Sequence, residues 1–165
     1  MGWWMADDNS RPLRTITPSM RSFEQSLPMA LLRAREAVMR GFRRLLREHG
    51  LNEQEWRIMR ALMEADLIEI GELAERVFIL KPSATRTVKN LQARKIVSRS
   101  RSSADQRRAL IGLTPKGRQL FDELAPHSEL EYARITKLVG AHDMEELYDL
   151  LRRVTETLNG AGRGG

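Results

Sequence analysis

Nine basic side chains fall within one stretch of this chain: Lys81, Arg86, Lys89, Arg94, Lys95, Arg99, Arg101, Arg107 and Arg108, with Asp105 the only acid among them. The stretch carries net +8 while the whole 165-residue chain carries +6, so everything else sums to −2. Ammonium and guanidinium groups gathered in this way neutralise the phosphates of a polyanion. The Ser, Thr and Asn residues between them add hydrogen-bonding groups that can read base edges. A merely solvated face is the plainer reading of any charge run. In a chain that is 30% charged, such a face normally mixes signs, and this block does not.

Two other residues have the chemistry of a ligand site. Arg35 interrupts an apolar stripe made by Leu31, Val38, Met39, Phe42, Leu45 and Leu46. A charge on such a stripe needs a partner, either a carboxylate of the protein or an anionic ligand. Trp56 can be core, or the aromatic wall of a pocket. Catalysis and metal chemistry have no comparable signal. The chain has no cysteine, and its three histidines (His49, His127 and His142) have no metal-ligand spacing. There is no GxSxG, no phosphate-binding glycine loop and no paired carboxylates, so neither an enzyme nor a bound cofactor is expected. No apolar run approaches the roughly 20 residues that span a bilayer. The start, MGWWMADDNSRPLR, has no apolar segment behind a basic one, and the expectation is a cytoplasmic protein without membrane contact.

The elements that must position the basic block can be read in order. Residues 1–25 form a tail broken by Pro12 and Pro18, in which Trp3 and Trp4 are apolar. A long helix opens near Ser26 and Pro28 and stops at Gly50. Asn52 with Glu55 three residues later forms a capping box for the next helix, whose Trp56, Met59, Leu62 and Met63 make a buried face. A short helix over Leu67–Ile79 leads by a tight turn into a basic helix with Pro82 in its first turn. That helix turns Ala84, Val88 and Leu91 inward and Ser83, Thr85, Arg86, Lys89 and Asn90 outward. Two extended runs follow, Ile96–Arg99 and Ala109–Leu113, around a polar tip. Helix, turn, basic helix and basic hairpin make a winged helix-turn-helix over residues 51–114. Thr114 and Pro115 restart helix, with a kink or break expected at Pro126. In the last helix Met144, Leu147, Leu151, Val154 and Leu158 step by three and four like a coiled-coil seam. The fold class is therefore mostly α with a small β wing. Helices over 26–50 and 115–159 form a dimerisation domain, and 160–165 is a flexible end.

ELAERVFILKPSATRTVKNL and DQRRALIGLTPKG carry a resemblance to the MarR family of bacterial winged-helix transcriptional regulators, over about Leu27 to Leu158. ALLRAREAVMRGF, LNEQEWRIMRAL and the ILKPS turn resemble the branch of that family that represses homoprotocatechuate (3,4-dihydroxyphenylacetate) degradation genes. The resemblance implies a two-fold homodimer that places a recognition helix in each major groove of a palindromic operator. The DNA-contacting set is then Lys81, Ser83, Thr85, Arg86, Lys89, Asn90, Arg101, Asp105 and Arg107. Within it Arg86 reads bases and Ser83 binds phosphate. Arg107 enters the minor groove, oriented by Asp105, which a plain turn would also accommodate. A small aromatic carboxylate between Arg35 and Trp56 would release the operator. Two residues depart from the pattern. Lys95 stands where the family has glycine, and a left-handed lysine there costs about 1 kcal/mol. Lys81, a poor capping residue, falls at the recognition-helix cap. A DNA-binding protein with no ligand response, or an architectural one, is the competing expectation.

Overall fold

The computed structural model describes residues 22–101 and 109–162. The chain divides into two compact units, Met1–Ala37 and Val38–Gly165. In the first, a single 3-10 turn over Phe23–Gln25 precedes helix α1 (Leu27–Glu48). Ser26 closes the junction by donating its hydroxyl to the Phe23 carbonyl at 2.9 Å. Arg33 hydrogen-bonds the Glu24 carbonyl, and Arg35 pairs with Glu36 at 3.0 Å. Leu27, Leu31 and Leu32 of this unit are 43–52% exposed.

The second unit holds the core. Gly50 ends the turn after α1 at φ +66°, where a side chain would be strained. Asn52 then caps helix α2 (Glu53–Ala65): its side chain accepts from Gln54 N at 2.9 Å and from Glu55 N at 3.0 Å, while Glu55 Oε2 accepts from Asn52 N at 2.9 Å. The expected capping box is thus complete. Asn52→Ala is expected to lower stability by about 1 kcal/mol in a urea titration. An unchanged midpoint would mean that water satisfies those amides equally well. Ile58, Met59 and Leu62 of α2 are fully buried and pack with Leu46, Leu73, Leu91, Ile111 and Leu124 in one cluster.

The short helix expected over Leu67–Ile79 is a composite. Ile68–Glu69 is a strand, β1, and helix α3 covers only Ile70–Arg76. β1 is two residues long and exists because it pairs antiparallel with β3 (Ala109–Leu113), Ile68 opposite Ile111. Such a non-local pairing leaves no periodic signal in a short run. Helix α4 (Lys81–Ala93) follows, capped not at Lys81 but at Leu80, with no side-chain bond at the cap. Pro82 in the first turn removes one amide that would otherwise be unpaired there.

β2 (Val97–Arg101) pairs antiparallel with β3 in the register Val97–Leu113 to Arg101–Ala109, giving sheet order β1-β3-β2. Thr114 caps helix α5 (Pro115–Val139), accepting from Gly117 N at 3.0 Å. The helix does not break at Pro126, since α5 runs through it without interruption. A proline inside a helix costs one hydrogen bond, and packing retains the rest: Leu124 and Ser128 on either side are buried. On α5, Arg134 donates twice to Glu131, at 2.9 and 2.7 Å, and these bonds hold the Glu131 carboxyl below the usual carboxylate range. Helix α6 (Ala141–Ala161) has no buried residue, and Leu147, Leu150, Leu151, Val154 and Leu158 are 38–64% exposed. Among the described residues no helix is long and apolar enough to cross a membrane.

Candidate nucleic-acid interface

α4 is held by one face and offers the other. Ala84, Thr87, Val88 and Leu91 are buried, and Thr87 Oγ1 donates back to the Ser83 carbonyl at 2.9 Å. The 3.6-residue period then forces Lys81, Thr85 and Lys89 into one outward row and Pro82, Arg86 and Asn90 into the next. Lys81, Arg86, Lys89 and Asn90 are exposed, while Ser83 and Thr85 are half-buried. Thr85 Oγ1 donates to the Lys81 carbonyl at 2.9 Å, so its hydroxyl keeps acceptor capacity for an outside donor. The structure therefore brings six of the nine candidate residues onto one helix. Among the described residues, none of Lys81, Arg86, Lys89, Lys95 or Arg99 makes an ion pair. Their charge is not neutralised by a described carboxylate.

The wing continues this surface only in part. Ser98, Arg99 and Ser100 are exposed on β2, and Arg101 lies at its end. Asp105 and Arg107 lie outside the described residues, as do Trp3 and Trp4. The exit of the recognition helix is fixed closely. Lys95 does take a left-handed conformation, φ +60°, and its carbonyl accepts from Thr114 Oγ1 at 2.6 Å. Thr114 also donates its amide to the Ile96 carbonyl at 3.0 Å. These bonds compensate for the missing glycine and fasten the wing to the start of α5.

The two candidate ligand residues lie in different units. Arg35 is exposed on α1. Trp56 is only 6% exposed and stacks on Phe121, ring centres 5.0 Å apart. Sequence reasoning passed over Arg60, near Trp56 on α2, and its partner Tyr132. Arg60, one helical turn further along α2, donates to Tyr132 Oη at 3.0 Å, and the Tyr132 ring lies 4.8 Å from Phe42. The i, i+4 spacing of Trp56 and Arg60 was the available signal.

Residues 49–108 match the MarR family. Over 126 residues the chain is 38% identical to the homoprotocatechuate degradative operon repressor of Escherichia coli, covering 76% of this chain and 85% of that protein. The chain belongs to the MarR family. A second relative within the family, the HTH-type transcriptional regulator FarR of Neisseria gonorrhoeae, is 34% identical over 136 residues, 82% of this chain and 93% of that one. The crystal structure of NadR in complex with 4-hydroxyphenylacetate matches with a TM-score of 0.70 at 34% identity, covering 82% of this chain and 96% of that chain. As a MarR-family member the protein is a DNA-binding transcriptional regulator and not an enzyme, and its winged helix-turn-helix is the expected one.

Proposed function

We propose that this protein is a homodimeric repressor of an aromatic-acid catabolic operon, specifically one for homoprotocatechuate degradation. It would bind a palindromic operator and be released by a small aromatic carboxylate. The observation that carries the DNA half is the outward face of α4, where cations and amide or hydroxyl groups stand on a buried apolar base. Dimerisation through residues 26–50 and 115–159 is supported by α6, whose apolar seam is not covered by the described residues of its own chain. A two-fold pair of α4 helices then suits half-sites about one helical turn apart. The cytoplasm, where the operator is, would be its compartment.

The effector half is supported by the relatives: one carries homoprotocatechuate in its name, and another was crystallised with 4-hydroxyphenylacetate. On this chain Arg35 is the proposed partner of the effector carboxylate, and Trp56, backed by Phe121, the proposed aromatic contact. A coupling of about 1–3 kcal/mol between effector and DNA, or roughly tenfold to a hundredfold in affinity, suffices for control. The test is fluorescence anisotropy on DNA upstream of the protein's own operon, titrated with 3,4-dihydroxyphenylacetate or benzoate at fixed salt. Release by the first and not by the second is the expected result. Binding that ignores DNA sequence would overturn the regulator reading. Specific binding without release would remove the effector. Arg35→Ala is expected to raise the effector concentration for half-release by about tenfold, and an unchanged titration would rule Arg35 out as the carboxylate partner.

A further inference from the structure

Among the described cations of the basic block, Arg94 is engaged within the chain, with its side chain 37% exposed. It sits at the carboxy-terminal cap of α4, and both arms of its guanidinium are engaged. Nη1 donates to Glu55 Oε1 at 3.1 Å, and Nη2 donates to the Gly50 carbonyl at 2.8 Å. The Glu55 side chain is only 7% exposed, and its other oxygen already accepts the Asn52 amide. One planar group thus spans the turn that ends α1 and the first turn of α2. Lys116 Nζ, at the start of α5, adds a bond to the Arg94 carbonyl at 3.1 Å.

We infer that Arg94 is a positioning residue: it sets the angle of the recognition helix against the α1–α2 junction and does not itself contact DNA. The apolar base of α4 sets which face turns outward, but such contacts are non-directional and leave small tilts and shifts of the helix weakly determined. A forked donor with two fixed acceptors removes that freedom, which a flexible ammonium would not. Because Gly50 follows α1 directly, the same fork carries any displacement of the α1 end to α4.

The probe is the best-bound palindromic duplex selected by the wild-type protein from a random-core library, beside a scrambled duplex of the same composition. Arg94→Gln and Glu55→Gln are each expected to weaken the selected duplex about tenfold. The scrambled one should stay within about twofold, with the slope of log affinity against log salt unchanged. The double variant should lose little more than either single one, since both remove the same link. Arg94→Lys should lose nearly as much as Arg94→Gln, because charge without the fork does not position. Binding of the scrambled duplex shows that each variant is folded. A salt slope reduced by about 0.9 in Arg94→Gln, with both duplexes weakened alike and Glu55→Gln unaffected, would make Arg94 a phosphate contact and overturn the inference. So would variants that melt earlier yet keep the wild-type ratio between the two duplexes. The inference rests on α4 being the helix that reads DNA. Wild-type protein that selects no duplex would overturn that reading and the inference together, whereas variants equal to wild type would overturn the inference alone.

Discussion

Gly117→Ala is expected to destabilise the protein by roughly 3 kcal/mol, the upper end of what one misplaced methyl does in a packed interior. Gly117 is buried in the first turn of α5. A Cβ built on it would lie 2.1 Å from the Ile96 carbonyl oxygen and 3.1 Å from a Leu113 methyl. The oxygen cannot simply retreat, because it accepts from the Thr114 amide at 3.0 Å. Relief therefore means separating α5 from the wing or giving up the cap. Urea denaturation should show a lower midpoint at unchanged slope. A loss below about 1 kcal/mol would mean that the junction yields more easily than its hydrogen bonds suggest.

Arg86→Ala should produce the largest loss of sequence discrimination of any single change on α4. Arg86 stands exposed in the middle of the outward face, with Asn90 one turn beyond it. A bidentate arginine–guanine contact discriminates by about 1–3 kcal/mol, so affinity for the preferred duplex should fall roughly tenfold to a hundredfold. Affinity for scrambled DNA should change by only one phosphate's worth of charge or less. Equal losses on both duplexes would reassign Arg86 to the backbone and leave Thr85, Lys89 and Asn90 as the readers. Anisotropy titrations at two salt concentrations separate these outcomes.

Much of this architecture was legible because its signals are local. The Asn52–Glu55 box, the apolar period of α4 and the restart of helix at Thr114 and Pro115 each depend on residues within a few positions of one another, while the left-handed Lys95 was pointed to by the family resemblance. What escaped was set by partners distant in sequence. β1 exists through Ile111, more than forty residues away. The helix through Pro126 is held by the burial of its neighbours, which the proline signal alone does not carry. Arg94 counts as one more cation until Gly50 and Glu55 are seen beneath it. Arg60 and Tyr132 are seventy-two positions apart and meet only in the folded chain. The outward residues of α4 were legible for the same reason as its core, since one helical period fixes both faces.

Lys95 shows where the protein could be made hardier. A non-glycine residue at φ +60° costs about 1 kcal/mol, and the local bonds that hold it, from the Lys95 amide to the Gln92 carbonyl and from the Thr114 hydroxyl to the Lys95 carbonyl, are ones a glycine would keep. Lys95→Gly would therefore raise heat tolerance while removing one cation from the block that first attracts DNA, slowing encounter more than it loosens the final complex. That position is the first to alter in building a heat-resistant variant.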